Sequence, residues 1–198
     1  MRKIIAVLSL CFISASYAKT LTKEEQFIND LGNEIITLIR STDDMAKKKE
    51  HFRGVLTKNF DMKSIGKFVL GRHWRQATDA QKQQFVELYE QSVVDTYTSQ
   101  FNQYKNESMQ VQNSRKDNDD GAIWVNTLVQ GPARDPLSIR WKIYEVSGQL
   151  KIYDILVNEV SMGITHRSEY ASIINSNGGN IDGLLKAMRE NNISRLNN

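Results

Sequence analysis

Asp154, Ser161 and His166 bring the three residue types of a serine hydrolase together in one short stretch of the chain. A serine nucleophile needs a histidine within hydrogen-bond reach, a carboxylate that orients this histidine, and an oxyanion hole. Ser161 stands between a valine and a methionine, so the glycines of a nucleophile elbow are missing. Serine and threonine are favoured helix N-caps, which gives Ser161 or Thr165 a structural role at a helix start. The sequence favours this structural role, and we predict no catalytic residue.

The sequence offers few metal ligands. None of the three histidines, His51, His73 and His166, lies in an H-E-x-x-H motif, and the only cysteine is Cys11. The acidic stretch 117–121 resembles a calcium loop, but a leucine occupies the twelfth position, where calcium needs a bidentate glutamate. Asparagine, aspartate and glycine are also typical of turns, so we predict a hairpin turn there. We expect neither a metal nor a cofactor.

Arginines in two places could bind an anion. Arg72 and Arg75 follow Gly71 closely, and Arg167 lies just beyond the serine–histidine stretch. The planar fork of arginine matches the geometry of a phosphate group. Alternatively, Trp74 packs inward from a loop while the arginine charges remain in water, and Arg167 pairs with a nearby acidic residue. The sequence leaves both interpretations open.

The beginning of the chain has the pattern of a secretory signal peptide. Arg2 and Lys3 form a basic start, residues 4–13 are an apolar run too short to span a bilayer, and small residues precede the cleavage expected after Ala18. Cleavage would remove the only cysteine and lower the formal charge from +3 to +1. A nearly neutral chain lacks the basic face of a nucleic-acid-binding protein. We therefore predict a signal peptide over 1–18 and export into a periplasm.

The rest of the chain, 19–198, has the length and composition of a single globular domain. Of the 198 residues, 40% are hydrophobic and 25% charged, which is ordinary for a protein with a sizeable core. Capping boxes begin helices at Thr22 and Thr78, and residues 42–44 and Asp61 open two more. Gly71 ends the third helix. The helix from Thr78 is the longest, and its inward stripe is unusually aromatic: Phe85, Leu88, Tyr89, Val93, Tyr97, Phe101 and Tyr104.

The pattern of apolar residues changes from helical to alternating after Asn106. Four strands are predicted at 109–114, 122–130, 137–143 and 150–160, and two helices at 164–175 and 181–189. Short connections between the strands indicate an antiparallel meander. The order of helices, meander and helices predicts an α+β fold, in which a curved sheet packs against N-terminal and C-terminal helices. Periodicity alone does not distinguish a filled core from an apolar cavity between these layers.

Two stretches of the sequence resemble the MlaC (toluene-tolerance) family of periplasmic phospholipid-binding proteins. The first runs through F-D at 60–61, V-L-G-R-H-W-R at 69–75 and T-x-x-Q-x-x-x-F at 78–85. The second contains K-I-Y-D at 151–154, V-S at 160–161 and R-S at 167–168. The sequence departs from the family pattern at Glu159, where a glycine is usual, at His166, where a tyrosine is usual, and at Tyr170, where a phenylalanine is usual.

The resemblance implies a protein that shuttles phospholipid and catalyses no reaction. Its expected partners are the phospholipid, an inner-membrane ABC-transporter complex and an outer-membrane lipoprotein–porin complex, and its expected role is to maintain the lipid asymmetry of the outer membrane. A monomer is expected. The acyl chains would lie between the sheet and the helices, and the inward faces give these candidate lining residues: Phe68, Val69, Phe85, Tyr89, Val93, Tyr97, Trp124, Trp141 and Ile152. The candidate mouth or headgroup residues are Arg72, Arg75 and Arg167.

Two other classes of protein fit the same elements. One is a periplasmic small-molecule hydrolase or isomerase on a cone-like α+β fold, which needs a polar group with a perturbed pKa deep in its pocket. The other is a protein-binding adaptor or chaperone, which exposes an apolar patch on its surface. Phospholipid extracted from the purified protein would separate the carrier from both.

Overall fold

The first part of the chain is helical. The structure, a computed structural model, describes residues 20–41, 44–132 and 134–190; the predicted signal peptide and residues 42–43 of the predicted second helix start lie outside them. The helices are α1 (Lys23–Ser41), α2 (Met45–Asn59), α3 (Met62–Leu70), α4 (Arg72–Gln76) and α5 (Asp79–Gln100). A turn of 3₁₀-helix, Phe101–Tyr104, extends α5 to the last residue of the predicted inward stripe.

The predicted helix caps are confirmed. The Thr22 amide donates to the Glu25 carboxylate and the Glu25 amide donates to Thr22 Oγ1, both at 3.2 Å, which is the reciprocal pattern of a capping box. Thr78 and Gln81 form a second capping box. Asp61 caps α3 by accepting from the Ser64 amide at 2.9 Å. These bonds satisfy amides that the first helical turn leaves free, so the helices begin at these residues.

A five-stranded antiparallel sheet follows the helices. Its strands are β1 (Ser108–Lys116), β2 (Ile123–Gly131), β3 (Arg134–Val146), β4 (Gln149–Val157) and β5 (Val160–Ser161), and they neighbour one another in chain order. Two helices, α6 (Met162–Ser176) and α7 (Ile181–Arg189), complete the described chain. The predicted α+β fold, with an antiparallel meander between N-terminal and C-terminal helices, is confirmed.

The predicted fourth strand is in fact two strands. A tight turn at Asn158 and Glu159 separates β4 from β5, and both residues have positive φ, 47° and 66°. Two successive residues of this kind make the type I′ hairpin turn, whose twist matches that of the strands. The turn therefore forms with Glu159 at the position where the resemblance led us to expect a glycine, and the Glu159 carboxylate accepts a hydrogen bond from Arg140 at 2.6 Å.

Residues 72–76 form the short helix α4, where the sequence allowed a loop. Gly71 has φ 53° and ψ −122°, a conformation open to glycine, and it ends α3 while α4 begins at the next residue. Trp74 is half-buried against the neighbouring helices, as one of the two interpretations required. Arg72 and Arg75 are exposed.

Buried side chains form two clusters. The helical cluster lies among α3, α5, α6 and α7 and includes Phe85 and Tyr170. The sheet cluster joins α1, α2 and the later part of α5 to one face of the sheet, which we call the inner face. Phe60 and Val93 are half-buried and contact both clusters. The two clusters therefore meet at a seam along the middle of α5.

Candidate functional site

The serine, aspartate and histidine of the possible triad are not arranged for nucleophilic catalysis. Ser161 Oγ donates directly to Asp154 Oδ2 at 2.6 Å and accepts from the Ile164 amide at 3.0 Å, so Ser161 is the N-cap of α6. His166 Nδ1 instead lies 2.9 Å from the hydroxyl of Tyr89. A triad needs the histidine between serine and carboxylate. The predicted capping role of Ser161 is confirmed.

A β-bulge in β4 decides which side chains face the interior. Lys142 pairs with Asp154 while Ile143 pairs with Ile152, so Tyr153 is an extra residue on β4. Without the bulge, strict alternation would point Asp154 to the inner face and Ile155 away from it. The bulge places Asp154 beside the start of α6, where its Oδ1 accepts from the Gly163 amide at 3.0 Å.

The inner face of the sheet is only partly covered. Ile143 and Ile152 are fully buried, and Trp141, in the next row, is 6% exposed. In the row beyond, Ile139 and Val157 are only half-buried, although their neighbours in the sheet direct them to the same face. We call this region the open end of the inner face. Its partly exposed apolar residues are Val129, Leu137, Ile139, Ile155 and Val157.

Helices α5 and α6 lie across from each other beside the open end. Tyr97 donates from its hydroxyl to Met162 Sδ at 3.7 Å, and Tyr89 bonds to His166. Burial raises the pKa of Tyr89 and of Tyr97, and nearby Glu169 adds to both effects. Burial lowers the pKa of His166, which favours its neutral form, while Asp154 acts in the opposite direction. These shifts favour the neutral forms of Tyr89, Tyr97 and His166, whose side chains join α5 to α6.

The buried polar groups of the sheet cluster have partners. Trp141 Nε1 donates to Thr127 Oγ1 at 3.0 Å, and the Thr127 hydroxyl donates to the Ile139 carbonyl at 3.2 Å. Paired in this way, the indole presents an apolar surface to the interior without leaving an unsatisfied donor. Trp141 can therefore form part of an apolar wall.

The structure brings most of the predicted lining residues to the interior, but in two groups. Val69, Phe85 and Tyr89 belong to the helical cluster and are buried. The others lie at or beyond the seam with the sheet cluster: Val93, Tyr97, Trp141 and Ile152. The second group lies nearer to the open end, which the sequence analysis did not locate.

Trp124 and Phe68 do not join either group. Register with Lys142 places Trp124 on the opposite, outer face of the sheet, while the next residue, Val125, is buried on the inner face. The Trp124 ring lies under Arg140 at 4.8 Å and forms part of a surface concavity of about 450 Å³ beside the β1–β2 turn. Phe68 is 44% exposed between α3 and α6. Both faces of β2 are apolar in sequence, and alternation does not tell which face is inner.

The predicted turn at 117–121 is confirmed, and the carboxylates of Asp117 and Asp120 accept hydrogen bonds from neighbouring side chains. Asp117 accepts from Trp124 Nε1 at 3.2 Å. Asp120 accepts from Lys142 at 2.6 Å and from the Tyr144 hydroxyl at 2.7 Å, and these bonds lower its pKa to about 2. In the described ranges, no three His, Asp or Glu side chains are grouped so that they could hold a metal ion.

The three arginines of the predicted mouth lie on the surface near Gly71. Arg72 Nε donates to His73 Nε2 at 3.3 Å. The Arg167 guanidinium lies 5.3 Å above the Phe68 ring, and its atoms come within 3.0 Å of the place a Cβ would take on Gly71. Within the described ranges Arg167 does not pair with Asp154 or Glu159; Asp154 is bonded to Ser161 and Glu159 to Arg140.

Some features of the site could not be predicted from the sequence analysis. The bulge at Tyr153 did leave a signal, because Ile152 and Ile155 are both apolar at a spacing that breaks alternation. The contacts of Asp154 with α6 depend on that bulge. The bond between Tyr89 and His166 joins residues distant in sequence, and single-chain periodicity carries no information about it.

The fold and site define an α+β protein in which helices and a meander sheet enclose an apolar interior that is incompletely covered at one end. No helix of the described ranges is sufficiently long and apolar to cross a bilayer. The sequence model of the MlaC family, described as MlaC protein, matches residues 29–190. The chain therefore belongs to the MlaC family, and the resemblance drawn from its sequence motifs is confirmed.

Relatives with names and a solved structure agree with this assignment. Toluene tolerance protein ttg2D of Pseudomonas putida is 24% identical over 123 residues, 62% of this chain and 57% of that protein, so the match spans less than two thirds of its length. The intermembrane phospholipid transport system binding protein MlaC of Haemophilus influenzae is 21% identical over 195 residues, 94% of this chain and 90% of that protein. The phospholipid-binding protein of Ralstonia solanacearum, solved in complex with a phospholipid, has the same fold: its TM-score is 0.73 at 20% identity, over 85% of this chain and 96% of that one.

Proposed function

We propose that this protein is a periplasmic phospholipid carrier that moves lipid between an inner-membrane ABC-transporter complex and an outer-membrane lipoprotein–porin complex. Such transport would maintain the lipid asymmetry of the outer membrane. The observation that carries the proposal is the open end of the inner face, an apolar sheet surface left half-covered in a member of the MlaC family. We also propose that a signal peptide over 1–18 directs export and that residues 19–198 form one domain. The carrier is proposed to act as a monomer.

The physics of lipid in water supports a carrier. Burying one methylene is worth about 0.8 kcal/mol, so exposing a sixteen-carbon chain costs on the order of 12 kcal/mol. A lipid therefore leaves a membrane slowly unless a protein covers its tails. Such a protein needs an apolar interior and no group that reacts with the ester bonds. The bonds of Ser161 to Asp154 and of His166 to Tyr89 fit this requirement, and we propose no reaction.

We propose that the acyl chains lie between the sheet and α5, close to the seam. Val93 is half-buried there and contacts both clusters. Trp141 and Ile152 form the wall on the sheet side, and Tyr97 forms it on the helix side. The remaining candidates, Val69, Phe85 and Tyr89, lie deeper among the helices, so a tail would reach them only if it passed the seam.

The headgroup is proposed to lie outside, near the start of α6. Arg72, Arg75 and Arg167 are exposed in this neighbourhood. A guanidinium group binds a phosphate with two parallel hydrogen bonds. The tails would then lie in the interior while the charged group remained in water.

The test is the lipid content of the purified protein, measured by mass spectrometry after solvent extraction. Stoichiometric phospholipid is expected. Val93→Asn places an amide without a designed partner at the seam, which costs about 1–3 kcal/mol, so co-purified lipid should fall by about fivefold or more. Val86→Asn is the matched control, because Val86 lies on the same helix, is half-buried, and packs only against the helical cluster.

The control should lose stability but keep its lipid. A purified protein that contains no phospholipid contradicts the proposed function. Equal lipid in folded Val93→Asn and in the parent protein contradicts the proposed position of the tails, since a polar group at the seam would then be harmless.

A further inference from the structure

Exposed large hydrophobic side chains lie at the end of α3 and around the start of α6. Among the described residues, those that stand out are Phe68 at 44%, Val146 at 40%, Val160 at 55% and Ile164 at 59% exposure. Val146 lies at the β3–β4 turn. The other three lie at the end of α3, in β5 and in the first turn of α6. Single exposed apolar residues are common on proteins, but a group of neighbours indicates an interaction surface.

Contacts between α3 and α6 bring Phe68 to the first turn of α6. A ring carbon of Phe68 lies 3.2 Å from the place a Cβ would take on Gly163, which directly precedes Ile164. Arg167 covers the Phe68 ring at 5.3 Å and lies three residues after Ile164, on the same side of the helix. We call Phe68, Ile164 and Arg167, with adjacent Arg72, the α3–α6 patch.

The patch adjoins basic side chains of α3, α4 and α6. Lys67, Arg72, Arg75 and Arg167 form no ion pair within the part of the chain that the structure describes. The carboxylate of Asp154, on the strand beside α6, is bonded to Ser161 and to backbone amides. A partner that covers the patch must therefore bring negative charge to the rim and tolerate apolar side chains at the centre.

We propose that the α3–α6 patch docks directly on the anionic headgroup layer of a phospholipid bilayer. Phe68 and Ile164 enter the boundary between headgroups and acyl chains, while Arg72 and Arg167 contact lipid phosphates. Apolar side chains flanked by arginines have the chemistry of an interfacial membrane contact. Anionic lipids add an attraction for each nearby cation.

This docking would place the open end of the inner face near the membrane, a consequence that rests on the proposed function. Met162, at the start of α6, contacts Tyr97 inside, and Ile164 projects outward from the same helical turn. The first turn of α6 thus lies between the patch and the interior. A lipid that left the bilayer at this point would have a short path to the seam.

The experiment measures co-sedimentation of the purified protein with two kinds of vesicle, phosphatidylethanolamine with phosphatidylglycerol, and phosphatidylcholine alone. Binding to the anionic vesicles that weakens with salt is expected. Phe68→Asp with Ile164→Asp should reduce binding by at least about tenfold, because two charges would then enter the apolar boundary. Arg167→Glu should reduce it by more than about tenfold through lost attraction and added repulsion.

Matched controls come from elsewhere on the surface. Val146→Asp changes an exposed hydrophobic residue far from the patch, and Arg115→Glu reverses an exposed charge on β1. Both should bind vesicles like the parent, and circular dichroism should show all variants folded. Absence of binding to anionic vesicles, or equal binding by the double variant, overturns the proposal; an acidic protein face would then be the better occupant. The lipid content of the Phe68→Asp, Ile164→Asp double variant is a separate readout, because both residues are exposed and lie outside the proposed tail site. Loss of docking with full lipid in this variant leaves the carrier function intact.

Discussion

Among single residues, Asp154 connects the sheet to the helix that follows it. One carboxylate oxygen accepts from the amides of Ile155 and Gly163, and the other accepts from Ser161 Oγ at 2.6 Å. The Ser161 hydroxyl in turn accepts from the Ile164 amide. The first turn of α6 is thus fixed to β4 through one carboxylate and one hydroxyl. A group with these partners is positioned for structure and is not available as a nucleophile.

Ser161→Ala should therefore affect stability and not chemistry. Loss of an N-cap costs about 1 kcal/mol, and the variant should show this loss in urea unfolding while its lipid content stays the same. Ser168→Ala is the control, since Ser168 is exposed later on the same helix and bonds only to a helical carbonyl. Cleavage of ester substrates by the parent, lost in Ser161→Ala, would overturn the assignment.

At the scale of secondary-structure elements, the contact between α5 and α6 includes a buried histidine. Tyr89 on α5 bonds to His166 on α6, and their rings meet edge to face with centroids 5.6 Å apart. Burial holds the pKa of His166 below its ordinary 6.5. We therefore expect this helix contact to weaken in mild acid.

The sign of the pH effect follows from the lowered pKa. As the pH falls, His166 takes up a proton at a higher pH in the unfolded chain than in the folded one. The stability that this histidine contributes above about pH 6.5 is therefore lost as the pH falls toward its folded-state pKa. The melting temperature should decrease as the pH is lowered from about 7.5 to about 5.5. His166→Gln should reduce this dependence but not abolish it, because burial and Arg72 lower the pKa of His73 as well.

His51→Gln is the control for that measurement. His51 is exposed on α2 and lies 3.4 Å from Glu34, so it takes no part in the α5–α6 contact. Its variant should keep the pH dependence of the parent. Identical pH profiles for His166→Gln and the parent would show that the buried histidine does not contribute.

The elements differ in how far their sequences predict them. Helix starts follow from local chemistry, so Thr22, Asp61 and Thr78 were sufficient to predict them. The β5 strand was not predicted, because the turn before it uses Asn158 and Glu159 at positive φ without a glycine. The inward stripe of α5 was predicted in position, but its relation to the open end depends on where separate elements pack. Only tertiary structure supplies that information.

At the scale of the whole molecule, the helical cluster and the sheet cluster share few residues. Phe60 and Val93 contact both, and the inner face of the sheet is half-covered beyond Trp141. Apolar surface that the protein leaves exposed contributes nothing to folding until another group covers it. A bound acyl chain would complete the burial of this surface. The stability of the whole molecule should therefore depend on the ligand.

Removal of lipid should lower the melting temperature. A ligand present at about a hundred times its Kd stabilises the folded state by about 2.7 kcal/mol, which corresponds to roughly 5–10 °C for a protein of this size. The measurement compares the protein as purified, the protein after delipidation by reversed-phase chromatography and refolding, and the refolded protein with phospholipid restored. Restored lipid should recover the original melting temperature. Equal melting temperatures for all three would mean that no bound lipid covers the inner face.

The bulge at Tyr153 restricts how β4 can change in evolution or by design. Ile152 and Ile155 both face inward with two residues between them, so deleting Tyr153 alone would remove the bulge and still leave Asp154 outward and Ile155 inward. Deleting Tyr153 and Asp154 together would turn Ile155 out to water. At the bulge, changes in strand length should therefore be tolerated in odd numbers and rejected in even ones.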